Sequence, residues 1–262
     1  MSTTSRVPAW VRYLLIGMGA GLLSGLFGVG GGTVIVPLLV LLCRFDQRLA
    51  SGTSLGAIVP TAIVGVASYA WNGSVSWIAA LLLAGGAVGG AQIGTWLLGR
   101  LPMRALRWGF VVFLVAVMVN LFLVVPSRDA DLVLTWLSGL ALLGVGLVTG
   151  VLSGLFGVGG GIVVVPALIL LFGASDLVAK GTSLLMMIPT AISGTLGNHR
   201  RKNIDMKAAI GVGVGACLTT VVGAHVAAWL DPRVATPLFA VFIAVITIQL
   251  AIKAWRADHP KK

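Results

Sequence analysis

The chain has 262 residues, of which 58% are hydrophobic and only 10% charged, against about 25% charged in a soluble domain. A net charge of +11 invites a nucleic-acid reading. However, the Lys and Arg residues sit between apolar runs and at the two ends, with no basic domain and no groove interleaved with aromatics. Composition therefore excludes a soluble domain and a nucleic-acid partner. It leaves a polytopic helical membrane protein whose basic residues orient its helices in the lipid bilayer.

Apolar runs of about 20 residues, enough to cross ~30 Å of hydrocarbon, recur along the chain. Arg6 and Arg12 precede the first run, which lacks a small-residue cleavage site and is expected to remain as a membrane segment. That run, Val11 to Phe27, ends in a glycine cluster, and Leu23 to Gly32 reads L-S-G-L-F-G-V-G-G-G. Thr33 to Cys43 follows and is too short to span alone, so 11–43 is expected to form a broken hairpin. Arg44, Asp46 and Arg48 mark a polar connection. Helices are predicted over 51–71, with Pro60 inside, then over 77–98 and 103–125.

After a linker at 127–131 the plan starts again. Leu152 to Gly161 repeats the same ten letters, 129 positions on. A second broken hairpin is predicted over 132–172, with helices over 180–198, 206–230 and 233–255. The same offset aligns Gly52, Thr53, Ser54 and Leu55 with Gly181, Thr182, Ser183 and Leu184, and Pro60 and Thr61 with Pro189 and Thr190, without a gap. This is an internal duplication: a first repeat over 1–126 and a second over 132–262 that ends in a basic tail.

The basic residues choose between two topologies. If each broken segment is a re-entrant hairpin with its glycines at the apex, the two halves are inverted. Only Arg128, Lys180 and Arg233 then face one side, and every other Lys and Arg shares the opposite one. A single full crossing spreads the charges far more evenly, so the positive-inside rule favours the hairpin. The expected fold class is an all-α membrane bundle of two inverted repeats, each a Gly-broken hairpin plus three spanning helices. It is multi-pass in the cell membrane, with both termini cytoplasmic. Glu is absent and the Asp residues fall in predicted connections or the tail, so no span is expected to carry a carboxylate of the kind proton relays use.

Glycine in a helix interior costs roughly 1 kcal/mol against alanine, so a duplicated cluster reads as two deliberate breaks. Gly28, Gly30, Gly31 and Gly32 can adopt positive φ and expose backbone N–H groups. The helix starting near Thr33 turns its positive dipole end toward the break. Gly157, Gly159, Gly160 and Gly161 repeat the arrangement. Converging near mid-membrane, the two ends could bind an anion without any buried Lys or Arg. The alternative is that glycines merely allow close helix packing, which is the preferred reading for Gly85, Gly86, Gly89 and Gly90. Thr53, Ser54, Thr182 and Ser183 could cap the helices that follow them or donate to an anionic oxygen. Pro60 with Thr61, and Pro189 with Thr190, should kink their helices. His225 reads as a structural histidine inside a span. Cys43 and Cys217 stand alone, no Cys/His cluster has metal-ligand spacing, and neither a dinucleotide nor a phosphate-loop pattern is met. Neither catalysis, a cofactor nor a metal is expected.

The duplicated L-S-G-L-F-G-V-G-G-G motif, followed by V-P and by the repeated G-T-S-L and P-T-A, resembles the TauE/SafE family, the sulfite-exporter and sulfonate-permease group. The likeness extends over roughly Ile16 to Ile248. It implies a plasma-membrane transporter of small anions of sulfur metabolism, often outward. It also implies a substrate site at Gly28, Gly30 to Gly32 and Gly157, Gly159 to Gly161, with Thr53, Ser54, Thr182 and Ser183 nearby. Thr33 has Ile162 as its counterpart, so the half-sites are chemically unequal. The leading expectation is a secondary transporter working by alternating access, with Thr33, Thr61 and Thr190 also contributing. A proton or sodium ion is open as the coupling ion, and the oligomeric state is undetermined. The alternatives are an anion channel lined by the same groups and a non-transporting membrane scaffold.

Overall fold

The computed structural model of the chain describes residues 8–123, 136–230 and 232–258. The linker at 127–131, the first residues of the 132–172 hairpin and Arg128 lie outside the described residues, as does the Arg233 side chain. Ten α-helices make up the described part: α1 (Ala9–Phe27), α2 (Gly32–Leu42), α3 (Gln47–Trp71), α4 (Trp77–Arg100), α5 (Met103–Leu123), α6 (Trp136–Phe156), α7 (Gly161–Phe172), α8 (Asp176–Arg200), α9 (Met206–Trp229) and α10 (Pro232–Asp258). The starts of α2 to α5 recur 129 residues later as the starts of α7 to α10.

Among the described residues, α1, α3, α4, α6, α8 and α9 are long and apolar enough to cross a membrane. The two hairpins are lopsided, because α1 and α6 have 19 and 21 residues whereas α2 and α7 have only 11 and 12. Side chains such as Leu140, Ile210, Leu218 and Val222 are exposed on the outside of the bundle, as hydrocarbon surroundings allow.

Two helix starts differ most from the sequence-based expectation. Helices α3 and α8 begin at Gln47 and Asp176, ahead of the predicted 51 and 180. The reason is local. The Asp46 carboxylate accepts from the Leu49 N–H at 2.8 Å, and the Ser175 hydroxyl accepts from the Val178 N–H at 3.4 Å. Each caps an extra turn that composition alone reads as connection. The polar residues of those turns are thereby drawn into the bundle.

Small residues set the packing. Gly17, Gly21 and Gly25 of α1 press onto the α9 backbone from Val212 through Thr220. Gly86, Gly90 and Gly94 of α4 press onto α6 from Leu143 through Val151, and Gly146, Gly150 and Gly154 return the contact. This small-xxx-small spacing lets helix backbones touch where a hydrophobic drive between helices is absent. Gly86 and Gly90 thus have the packing role expected of them. Gly85 meets only the Leu143 side chain, and Gly89 faces open space.

The order of these contacts fixes relative direction. Residue numbers rise together along α1 with α9, and along α4 with α6, so each pair is parallel. The same holds for α3 with α9, from Thr53–Asp205 to Gly65–Thr220, and for α4 with α8, from Ser76–Thr182 to Thr95–Gly197. Helices α3 and α8 are antiparallel, with Gly65 against Leu184 and Gly194 against Leu55. Thus α1, α3 and α9 run one way, and α4, α6 and α8 run the other.

Candidate functional site at the two glycine breaks

Helix α1 stops at Phe27 because Gly28 turns left-handed (φ 67°), its N–H donating to the Ser24 carbonyl at 2.8 Å. Gly30 and Gly31 are also left-handed, at φ 68° and 74°. The second copy is built alike. Gly157, Gly159 and Gly160 have φ 73°, 77° and 95°, and the Gly157 N–H donates to the Ser153 carbonyl at 2.8 Å. Three left-handed positions in four residues are a backbone path that only glycine follows cheaply.

The two breaks meet. Gly32 lies so close to the other break that a methyl group on it would come within 2.5 Å of the Val158 Cα and 2.6 Å of the Gly157 carbonyl oxygen. Reciprocally, a methyl on Gly161 would stand 2.6 Å from the Gly28 carbonyl oxygen and 2.8 Å from the Val29 Cα. Between them, Gly30 and Gly159 both face the Met187 terminal methyl and the Ile58 side chain. Ile58 and Met187 are counterparts one repeat apart, and both are fully buried. All the glycines of both breaks are buried.

Hydroxyls of one half reach the break of the other. Ser54 donates to the Gly157 carbonyl at 2.7 Å, and Ser183 to the Gly28 carbonyl at 3.1 Å. Thr53 and Thr182 sit inside α3 and α8, so they do not cap the helices that carry them. Instead their hydroxyls accept from the Asp205 and Ser76 N–H groups, at 3.0 and 2.9 Å, just ahead of α9 and α4. Thr61 and Thr190 donate to the Ala57 and Met186 carbonyls one turn back, each at 2.8 Å, beside Pro60 and Pro189 within the same helices.

What remains is a set of unsatisfied donors around the breaks. In α2, Val34 and Ile35 donate to the Gly31 carbonyl at 2.9 and 2.8 Å. Gly32 and Thr33, ahead of them, have no preceding turn to donate into, and Gly161 and Ile162 are their counterparts in α7. The hydroxyls of Ser24, Thr33, Ser51, Thr149 and Ser153 are buried without a partner. An orphaned buried hydroxyl costs about 1–3 kcal/mol, so five beside one feature suggest a ligand's place. Ser24 and Ser153 lie inside the repeated decapeptide, one turn before each break. That position was the signal by which the sequence could have disclosed them.

One expectation is corrected here. No carboxylate within a span was expected, yet Asp176 is buried in α8 and forms an ion pair with the buried Lys180 at 2.7 Å. Capping by Ser175 moves Asp176 into the first helical turn, where the dipole favours a carboxylate and Lys180 lies one turn on. The Lys180 backbone and stem rest against Gly28. His225 lies within α9, exposed on its outer face, with its Nδ1 2.9 Å from the Val221 carbonyl one turn back. Cys43 and Cys217 are free thiols.

Two short helices start head to head inside a bundle, with their positive dipole ends turned toward the breaks. Such a centre suits negative charge. A polytopic bundle with converging broken helices has the build of a membrane transporter. Sequence comparisons reach the same class. The family described as "Sulfite exporter TauE/SafE" matches residues 2–121 and 142–262, and the chain belongs to that family. It is 26% identical over 266 residues to "Probable membrane transporter protein YunE" of Bacillus subtilis (strain 168), covering 92% of this chain and 97% of the relative. It is 30% identical over 260 residues to a "Probable membrane transporter protein" of Haemophilus influenzae (strain ATCC 51907 / DSM 11121 / KW20 / Rd), covering 92% and 97%. A similar relative is YdhB of Bacillus subtilis (strain 168), 28% identical over 78% of this chain and 84% of its own length. No solved structure matches. The chain is a multi-pass membrane transporter of the TauE/SafE type, and its relatives carry transporter names rather than enzyme names.

Proposed function

We propose that the protein carries a small anion of sulfur metabolism, such as sulfite or an organosulfonate, outward across the plasma membrane by alternating access of two inverted halves. The observation that carries this reading is the meeting of the two glycine breaks, Gly32 on Gly157 and Val158, and Gly161 on Gly28 and Val29. The anion would be held by first-turn N–H groups of α2 and α7 and by the hydroxyls left unpaired around them, which together replace its lost hydration. Ser54, Ser183, Thr53 and Thr182 brace the halves across the site, and Thr61 and Thr190 shape the kinked helices beside it.

Support for inversion comes from direction. In the first half α1 and α3 run with α9, and in the second their counterparts α6 and α8 run with α4. Basic residues support the orientation. Arg44 and Lys202 hold left-handed turns (φ 58° and 57°), where the counterparts Gly173 and Gly73 are glycine. A non-glycine residue costs roughly 1–2 kcal/mol in that conformation. It occurs at the two turns on the face where α3 and α9 begin, which positive-inside logic makes cytoplasmic. The sealing of the centre by Ile58 and Met187 favours an occluding transporter over an open channel.

The test is flux in proteoliposomes of the full chain, comparing sulfite, sulfate, thiosulfate and sulfoacetate under imposed voltage and under pH or sodium gradients. Saturable flux of one of these anions, with counterflow, is the expected result. Single-channel currents would replace the carrier by a channel, and no flux of any of them would remove the sulfur-anion assignment.

A further inference from the structure

On the face where α3 begins, a cavity of about 90 Å³ lies between the α2–α3 turn, α5 and α10. By a measure in which one water occupies about 10–15 Å³, this admits several waters or one small oxyanion. Gln47, Arg107 and Lys253 line it, together with Asp46, Phe45 and Phe110. Gln47 is 4% exposed and its side-chain nitrogen has no hydrogen-bond partner. The acids nearby are already engaged. Asp46 caps α3 through Leu49 N–H. Asp258, at the end of α10, pairs with Arg104 at 3.0 Å and accepts from the Trp108 indole N–H at 3.0 Å. Lys253 donates to the Val40 carbonyl at the end of α2, which leaves further ammonium protons. No described acid forms an ion pair with Arg107 or Lys253.

We propose that this cavity is an oxyanion-binding site, a loading site for the transported anion on the face where α3 begins. The Gln47 amide N–H, the Arg107 guanidinium and the Lys253 ammonium donate to the ligand's oxygens. The proposal deepens the transport reading and rests on it for the choice of ligand. From the cavity, Gln47 leads one helical turn inward to Ser51, whose hydroxyl is unpaired and whose backbone lies against Gly157. A line of unpaired donors therefore joins the cavity to the glycine breaks. The counterpart positions on the opposite face, Asp176 and Lys180, neutralise each other. The anion thus meets open donors on one face and a closed ion pair on the other.

The shared chemistry of the ligand is an oxyanion, which a sulfur anion or a lipid headgroup phosphate could supply, so the experiment has an arm for each. The full chain is reconstituted in phosphatidylcholine vesicles, with sulfite binding and initial flux measured for sulfite presented to each face. Gln47→Met, close in size but without a donor, and Arg107→Gln should each raise KM from the α3 face roughly tenfold, as loss of a charge-assisted bond implies. KM from the opposite face should change less than twofold. Unchanged KM, or equal shifts from both faces, overturns the loading site. If the variants instead lose retention of phosphatidylglycerol and bind sulfite as before, the ligand is a headgroup and the sulfur-anion assignment of this cavity is overturned. Should the wild-type protein move no sulfur anion, the transport reading falls. Sulfite binding then decides the cavity alone, and a wild-type signal lost in Arg107→Gln sustains it.

Discussion

The two halves share a backbone plan and differ at the residues that guard it. Where α8 begins, Asp176 and Lys180 form a buried ion pair. Where α3 begins, the same two positions are Gln47 and Ser51, buried with an amide nitrogen and a hydroxyl unpaired. The turns before these helices differ in the same sense, with Gly173 ahead of the ion pair and Arg44 ahead of the neutral pair. Duplication supplies two similarly built breaks, and substitution at their flanks leaves an ion pair beside one and unpaired donors beside the other.

The largest expected effect is at the contact shared by both halves. Gly32→Ala and Gly161→Ala place a methyl against backbone atoms at 2.5–2.8 Å, and backbone in a packed core cannot give way cheaply. Each should reduce anion flux by about two orders of magnitude, as ångström-scale misplacement does in a preorganised site. Gly89→Ala, which faces open space, should keep full flux and gain about 1 kcal/mol of helix stability. Equal behaviour of all three would erase the distinction between site glycines and packing glycines.

Next comes the ion pair. Lys180→Ser leaves Asp176 buried without a partner and should cost about 3–5 kcal/mol of stability. Adding Asp176→Gln installs the pair that the first half already tolerates, and should recover most of that loss in thermal unfolding. A double variant no more stable than the single one would mean that the flanks are not interchangeable.

Smaller effects are expected at the braces. Ser54→Ala and Ser183→Ala each leave a glycine carbonyl of the opposite break unpaired, at a cost of about 1–3 kcal/mol. Ser54, with the shorter bond at 2.7 Å against 3.1 Å, should show the larger loss. The reverse order in chemical denaturation would contradict the packing at the breaks. Smallest of all, Arg44→Gly and Lys202→Gly relieve left-handed strain and should stabilise by up to about 1 kcal/mol. Labelling of the flanking turns should show these variants less uniformly oriented in the membrane.

Much of this plan could be read in the chain itself. The repeated decapeptide announced both breaks, and the constant offset placed every helix start from α2 to α5 against its counterpart. The unread parts have specific causes. Asp46 and Ser175 extend α3 and α8 by a turn through side-chain capping, so Asp176 reads as connection and Lys180 as the first residue of its helix rather than as core. Ser54 and Ser183 were noticed as hydroxyls, but their acceptors are 103 and 155 residues away, and no local pattern encodes such a partner. Ile58 and Met187 carry no local signal in the sequence. Only the meeting of both breaks on those two side chains gives them a role.

The most direct single measurement is sulfite counterflow in proteoliposomes, comparing the unaltered protein with Gly161→Ala. Saturable counterflow in the former and its loss in the latter, with the variant still folded by circular dichroism, is the expected outcome. Undiminished counterflow with a methyl forced between the two breaks would contradict the placement of the anion there.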